Sequence, residues 1–293
     1  MNTKIKAYYI RKTKFLIQNI TLLFFISITN LTAQNDIQKT INNINFGTGY
    51  SHLRMLDRQV TQLVYSANCL PISLGYSGIS QRSIFQINLC FEPGMIGSSG
   101  IYKNRKVILE STNSSGVLES QEFIIPKTGI FKDVFNVSYH HRIFMKDSKF
   151  SFYAGGTFVQ YFYLSFSVVP ILFMSEISLN PSLIGIYKLN ETIKVEGNIS
   201  FPVFGINTRL PYCNDPVDGE HGYTYVTFRT GSRIASFNNY QKMVLNLEIE
   251  KQLSSKWSVS ADYRFYWFRY SQEKTIQAYD NSVSLNLKRK ILK

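Results

Sequence analysis

The stretch WSVSADYRFYW, residues 257–267, decides the fold class of this chain. Apolar or aromatic residues occupy every odd-numbered position, and the polar residues between them are Ser258, Ser260, Asp262 and Arg264. Because successive side chains of a β-strand point to opposite faces, this alternation predicts a strand with one apolar and one polar face.

The same alternation recurs along the chain and predicts about ten strands. Residues 243–250 carry it just upstream, and a turn at 253–256 joins the two segments into a predicted hairpin. Strong patterns also lie at 85–91, 135–140, 150–162, 193–203 and 282–288, and weaker ones at 44–53, 70–79 and 172–188. In the last segment Pro181 cannot donate a ladder hydrogen bond, so we expect a bulge or kink there.

The connections alternate in length. Short turns fall at 80–82, 145–148, 189–191 and 253–256, and long links fall at 54–68, 97–129, 165–171, 205–240 and 271–278. This order predicts an all-β fold: an up-and-down antiparallel transmembrane barrel with short periplasmic turns and longer outer loops. The alternative is a secreted β-sandwich.

Within the second long link, residues 107–110 and 119–125 are predicted to form a hairpin.

The first thirty-three residues have the order of a secretory signal peptide. A basic start is followed by the apolar run 20–28 and then by Leu31, Thr32 and Ala33, so the barrel is predicted to span 34–293 and to begin at Gln34. After Ala33 no stretch is long and apolar enough for a transmembrane helix. The predicted leader contains five cations, so the remaining chain carries 13 − 5 = +8.

These features resemble the small outer-membrane β-barrel proteins. The resemblance is carried by the leader ending in Thr32, Ala33 and Gln34, the strand–turn–strand of residues 243–267 and the closing strand 282–287. It covers nearly all of the chain after the leader and implies a location in the outer membrane, in contact with its lipid. Export and the absence of a clustered basic groove argue against nucleic acid as a partner.

The alternation predicts a polar network inside the barrel. The residues expected to face the lumen mix both signs of charge: Arg142, Glu196, Glu248, Glu250, Asp262, Arg264 and Lys288. One interpretation is a plugged lumen in which buried charges pair, with Arg264 compensating Asp262 or Glu248. The other is a solute path or binding site, although a ten-strand barrel is too narrow for a general porin.

The loop of residues 207–223 has the densest polar chemistry. Its candidate binding residues are Asp215, Asp218, Glu220 and His221, but their spacing matches no defined calcium loop. We therefore predict no metal site and no cofactor. No catalytic motif is present, and His52 and His221 are the only histidines expected on the long-loop side.

Three cysteines, Cys69, Cys90 and Cys213, follow the leader. A turn centred near Ser80 and Gln81 would place residues whose numbers sum to about 161 opposite each other, so Cys69 and Cys90 would be inward-facing diagonal neighbours. A Cys69–Cys90 disulfide, a Cys69–Cys213 disulfide and three free thiols are the alternatives.

The sequence predicts an integral outer-membrane protein with a binding, adhesion or structural role. The alternatives are a narrow solute channel, a surface enzyme acting on lipid or peptide, and a subunit of an export or assembly complex with envelope protein partners. An enzyme is the less favoured of these.

Overall fold

A computed structural model describes residues 40–58, 64–98, 106–112, 118–124, 128–146, 149–165, 172–209, 228–272 and 274–291. The predicted leader and its junction at Gln34 lie outside these ranges, as do Cys213, Asp215, Asp218, Glu220 and His221. The described part contains fifteen strands: β1 (Ile41–Asp57), β2 (Val64–Cys69), β3 (Ile72–Ile79), β4 (Ser83–Ser98), β5 (Lys106–Thr112), β6 (Leu118–Ile124), β7 (Thr128–Lys146), β8 (Phe150–Ser165), β9 (Leu172–Lys188), β10 (Ile193–Ser200), β11 (Phe204–Arg209), β12 (Ser232–Ser236), β13 (Tyr240–Gln252), β14 (Trp257–Tyr270) and β15 (Ile276–Ile291).

Thirteen of these strands form one closed antiparallel barrel with ten strand positions. Three positions are each shared by two consecutive segments, β2 with β3, β10 with β11, and β12 with β13. β15 pairs with β1 over sixteen residue pairs, from Asn42 opposite Ile291 to Asp57 opposite Ile276, and closes the barrel. The predicted up-and-down barrel of about ten strands is confirmed.

The strands are strongly tilted. A path through the partners of Ile41 runs once around the barrel and returns to β1 at Leu53, twelve residues further along. A stagger of this size in a barrel of ten strands corresponds to a tilt of roughly 40°. Side chains from opposite walls can therefore meet at one level of the lumen although they are far apart in sequence.

Short and long connections lie at opposite rims, as predicted. The short-turn rim carries residues 80–82, 149, 189–192 and 253–256, together with the start of β1 and the end of β15. Two predicted long links are partly strand, because β1 continues to Asp57, β2 begins at Val64, and β11 and β12 lie within 205–240. The predicted hairpin in the second link is confirmed as β5 and β6, which pair only with each other in the described sheets.

Apolar side chains cover the outside of the barrel. Outward residues such as Leu247, Ile249, Val283, Leu285 and Leu287 are between 44% and 63% exposed in the isolated chain. In a closed barrel every strand has a hydrogen-bonded neighbour on both sides, so such a surface is suited to lipid. Among the described residues there is no helix with the length and hydrophobicity needed to cross a bilayer.

Pro181 does not interrupt the register of its own strand with β8. β9 pairs with β8 without a change of register past the Gly156–Pro181 pair. The irregularity lies in the neighbouring strand position, where residues 201–203 separate β10 from β11 and the Phe201 amide donates to the Pro181 carbonyl over 3.2 Å. Because proline has no N–H to donate, the break occurs in the strand that would have accepted from it.

Candidate functional site in the barrel lumen

Three levels of side chains fill the lumen between the short-turn rim and the long-loop rim. We call them the lower charged group (Lys194, Glu248, Glu250, Lys288), the central ion cluster (Ser51, Glu92, Lys132, Arg264, Asp280) and the aromatic layer (Tyr161, Tyr163, Tyr240, Tyr266, Phe268, Tyr270). All are supplied by inward positions of barrel strands, in which every second residue faces the lumen.

The lower charged group is centred on Lys288. Its ammonium contacts Glu248 and lies 2.9 Å from Glu250 Oε2, and Lys194 Nζ lies 3.1 Å from the same Glu250 oxygen. Two lysines and two glutamates therefore balance each other near the short-turn rim. The mutual attraction offsets much of the cost of removing these groups from water.

Between the lower charged group and the central ion cluster lies a cavity of about 230 Å³. Amide and hydroxyl side chains make up most of its wall, and the amides are Asn45, Gln86, Asn88, Asn136, Asn198, Asn246 and Asn286. Glu196, Asp262 and Arg264 add charge to the same wall. We call this space the polar chamber. Asn198 Oδ1 is buried without a hydrogen-bond partner and is an acceptor available to a bound molecule.

The central ion cluster bridges the barrel. Lys132 is 2% exposed and contacts Asp280, and its Nζ lies 2.6 Å from Oε2 of the fully buried Glu92. Arg264 contacts the other oxygen of Glu92, and the Ser51 hydroxyl donates to Glu92 Oε2 over 2.8 Å. Glu92 is thus held by two cations and a hydroxyl, which is the arrangement a fully desolvated carboxylate requires.

The aromatic layer lies next to the central ion cluster, towards the long loops. The rings of Tyr161 and Tyr266 approach to 4.7 Å between centroids, and Lys242 Nζ lies 4.1 Å from the centre of the Tyr161 ring. The same ammonium is 2.6 Å from Oε1 of Glu176, and both charged side chains are fully buried. A cation placed between a carboxylate and an aromatic face is stabilised by both.

A further ion pair lies closer to the long-loop rim. Arg209 Nη2 is 2.6 Å from Asp57 Oδ1, and Arg209 Nη1 donates to the Lys274 carbonyl over 2.8 Å. This pair joins β11 to β1, two strands that have three strand positions between them on one side and five on the other. The Arg264–Glu92 and Lys132–Asp280 ion pairs and the Tyr161–Tyr266 contact connect walls with the same separation.

The structure brings together six of the seven residues predicted to face the lumen. Glu248, Glu250 and Lys288 form ion pairs, Asp262 accepts a hydrogen bond from Asn286, and Glu196 lines the polar chamber. The partner of Arg264 is Glu92, so the expected compensation of Asp262 or Glu248 by Arg264 is wrong.

Arg142 lies apart from these residues. It is on the inward side of β7 but at the short-turn rim, where its guanidinium contacts Met145 Sδ over 3.3 Å. The register between β7 and β8 shifts between Arg142 and Phe144, and the strand alternation ends there.

Several charged residues of the lumen lie outside the alternating segments of the sequence. They are Asp57, Glu92, Lys132, Glu176, Arg209, Lys242 and Asp280. Four of them lie one or two inward positions beyond a recognised alternation: Glu92 follows Cys90 in β4, Asp280 precedes Ser282 in β15, Lys132 and Val134 precede Asn136 in β7, and Lys242 precedes Val244 in β13. Continuing the alternation of inward and outward residues along these strands towards the long loops identifies these residues as lumen-facing.

Cys69 and Cys90 face the lumen, as expected, but they are free thiols and do not form a disulfide. Cys69 lies opposite Gly94 and Cys90 opposite Ser73, so partner numbers sum to 163 instead of 161. Cys69 is therefore four residues from the level of Cys90, roughly 13 Å along the strand, which exceeds the reach of a disulfide. A Cβ on Gly94 would lie 2.5 Å from the Cys69 sulfur, so the close approach requires glycine.

The described histidines are not paired with carboxylates. His52 Nδ1 lies 2.7 Å from Asn68 Oδ1 on the outer side of β1, and His140 Nε2 lies 2.6 Å from the Ser182 hydroxyl. The His140–Ser182 pair is buried, and its second ring nitrogen has no partner. In the described residues, no group of three or more His, Cys, Asp or Glu side chains is arranged to hold a metal ion.

No protein-family model matches the sequence, and no curated protein matches it. Similar solved structures include the outer membrane protease OmpT from Escherichia coli, with 9% identity, a TM-score of 0.44, and 87% of this chain and 98% of that chain covered. An outer membrane channel from Pseudomonas putida F1 has 10% identity, a TM-score of 0.41, and coverage of 88% and 98%. Neisserial surface protein A has 7% identity, a TM-score of 0.32, and coverage of 83% and 96%. At these values none of their roles carries over to this chain.

The chain's own architecture defines its class. It is a closed antiparallel barrel of ten strand positions with an apolar outer surface and charged residues inside. Such a barrel satisfies the backbone in lipid and is the form in which strands cross the outer membrane. The protein is an outer-membrane β-barrel protein located in the cell outer membrane.

Proposed function

We propose that the protein is a non-conducting outer-membrane barrel with a binding, adhesion or structural role that it performs through its long-loop side. The observation that carries this proposal is the bridging of the lumen from opposite walls. Arg264 contacts Glu92, Lys132 contacts Asp280, and Tyr161 packs on Tyr266 at the centre of the barrel. Fixed contacts of this kind favour a scaffold over a pore.

The longer segments that a partner would contact lie on the long-loop side. The short turns at 80–82, 189–192 and 253–256 are only three or four residues long, whereas the opposite rim carries the β5–β6 hairpin and the link between β11 and β12. Binding residues are commonly located on loops that a rigid scaffold positions. The proposed partners are envelope or surface molecules that reach this side.

Conductance across a planar lipid bilayer tests the proposal. We expect the wild-type protein to insert without opening steps, because the aromatic layer and the central ion cluster occupy the lumen. A porin of known conductance, inserted into the same bilayer, shows that the assay would detect an open lumen. Steady conduction by the wild type would overturn the proposal.

A gated solute path is the second candidate, and the polar chamber supports it. The chamber has a volume of about 230 Å³, amide groups line part of it, and Arg264 of the central ion cluster and Tyr161 of the aromatic layer both contribute to its wall. Arg264→Ala distinguishes the two candidates. Lower thermal stability with unchanged conductance fits a structural plug, whereas raised conductance with unchanged stability fits a gate that Arg264 holds closed.

Two other hypotheses concern activity or assembly on the long-loop side. A subunit of an export or assembly complex would co-purify with envelope proteins after mild detergent extraction. A surface enzyme acting on lipid or peptide would lose activity on His52→Ala or His221→Ala. His52 is bonded to an amide and not to a carboxylate, which favours the binding role over the enzyme.

A further inference from the structure

We infer that the short-turn rim binds the anionic headgroups of phospholipids in the membrane leaflet that it faces. Besides Arg82 and Arg142, seven cationic side chains, which we call the rim cations, lie at this rim: Lys146, Lys149, Lys188, Lys251, Lys256, Arg289 and Lys290. They come from the ends of β7, β9, β13 and β15 and from the turns that follow β7 and β13. Six of the seven are exposed, and Lys290 is half-buried.

The rim cations are not neutralised by the described part of the protein. None of them is joined to a carboxylate there, and the exposed acid of the described rim is Glu191. Asp147, which follows Lys146 in the sequence, lies outside the described residues. The lumen glutamates nearest this rim pair with Lys194 and Lys288. These glutamates therefore do not neutralise the rim cations.

The rim cations lie beside apolar groups, which points to lipid and not to a soluble anion. Trp257 is 39% exposed at the start of β14, and the Arg289 guanidinium carbon lies 5.4 Å from the centre of its ring. Leu189 and Leu253 are 54% and 60% exposed in the turns that contain or adjoin Lys188, Lys251 and Lys256. Tryptophan and long cationic side chains at the end of an apolar band mark the level of the headgroups.

The arrangement of the charges also favours a membrane over a single bound ion. The rim cations come from four different barrel strands and from two of the turns, so they surround the rim and do not converge on one pocket. A leaflet offers many phosphate groups to such a ring at once. Each basic residue near an anionic membrane surface strengthens binding by about fivefold.

Lipid binding to the purified protein in mild detergent tests the inference. Micelles containing equal amounts of phosphatidylglycerol and phosphatidylcholine are added, and the bound lipids are counted by native mass spectrometry. The wild type should retain phosphatidylglycerol preferentially. In the triple variant Lys188→Gln/Lys251→Gln/Lys256→Gln this preference should fall by on the order of tenfold or more.

The matched control removes three cations from the other end of the barrel. Arg54, Arg58 and Arg269 are exposed near the long-loop rim, and the variant with Gln at all three positions should keep the wild-type preference. Retention of a heat-sensitive gel shift shows that each variant is folded. If both variants lose the preference equally, net charge and not the rim is responsible. If inorganic phosphate abolishes it, the rim is a site for small anions, and either result overturns the inference.

Discussion

Glu92 is the side chain on which the centre of the lumen depends most. It is fully buried and contacts Lys132 and Arg264, whereas Lys132 has a second acid partner in Asp280. Glu92→Gln would leave Arg264 without a carboxylate. We expect the free energy of unfolding to fall by about 3–5 kcal/mol, the range for removing one partner of a buried ion pair. Urea titration in detergent, followed by tryptophan fluorescence, measures this change.

Glu191→Gln is the matched control, because Glu191 is exposed in a short turn. A surface substitution of this kind should change stability by less than about 0.5 kcal/mol. Equal stability of Glu92→Gln and Glu191→Gln would show that the central ion cluster does not hold the barrel together.

The two described thiols give a second residue-level prediction. Cys69 and Cys90 are buried on the lumen side and unbridged. In a Cys213→Ser background, a water-soluble maleimide should leave both unmodified in the folded protein and label both after boiling in detergent. Peptide mapping without reduction should find two free thiols. A Cys69–Cys90 linked peptide would contradict the register in which Cys69 faces Gly94.

The sequence predicts which residues face the lumen better than it predicts which of them meet. Parity along a strand places Arg264, Asp262 and Glu248 on the inside, and all three are there. Arg264, however, meets Glu92, which is 172 residues away. That contact depends on the stagger accumulated around all ten strand positions, and a local pattern does not contain this information.

At the scale of the element, the inward face of β14 changes from polar to aromatic residues halfway along the strand. Ser258, Ser260, Asp262 and Arg264 are followed by the buried rings of Tyr266, Phe268 and Tyr270. The simple contrast of an apolar and a polar face therefore applies only to the first half of this strand. In the second half the inward residues are aromatic because they build the aromatic layer.

Single-cysteine scanning of β14 tests these orientations. Cysteines at 259, 261, 263 and 265 should react with a fluorophore that a lipid-phase quencher then quenches, because these positions face outwards. Cysteines at 260, 262 and 264 should escape that quencher. Position 266 should also escape it despite its aromatic native residue. Quenching at 266 would place Tyr266 in the lipid and remove it from the lumen.

The β5–β6 hairpin is an element that the barrel does not need. Its strands pair with each other and with no barrel strand. Thr128 of β7 lies opposite Ile96 of β4, so a short linker can join the two strands when residues 99–127 are replaced by Gly and Ser. We expect this variant to fold with the wild-type gel shift. Loss of the shift would assign the hairpin a part in the barrel.

At the scale of the whole molecule, the fold was the most predictable feature. The alternation of apolar and polar residues, and of short and long connections, can be recognised from local sequence. Both patterns indicate an up-and-down barrel of about ten strands. The strand ends near the long loops were less predictable, since β11 and β12 were assigned to a loop. Their lumen-facing residues include Asn207 and Arg209, which are fully or nearly buried although they are polar or charged. Arg209 is buried because it pairs with Asp57 across the lumen, and hydropathy alone does not predict this contact.

Closure by β1 and β15 predicts resistance to denaturing detergent. The unboiled protein should migrate differently from the boiled protein on a gel, because the closed barrel has no free edge from which to unravel. A chain that stops at residue 275 lacks β15 and exposes the sixteen-residue edge of β1. This truncation should migrate identically before and after boiling. A persistent shift in the truncated chain would show that closure is not the source of the resistance.

The ion pairs of the lumen also have a consequence for the order of folding. Arg264 and Glu92 are 172 residues apart, Arg209 and Asp57 are 152 apart, and Lys132 and Asp280 are 148 apart. Each pair joins an early part of the chain to a late part, and contacts of such separation form slowly. An incomplete chain would bury the Glu92–Lys132 pair without Arg264 and Asp280, so each of the two charges would lose one of its stabilising contacts. The charges thus make insertion of a partial barrel unfavourable, and assembly becomes complete only when the last strands arrive.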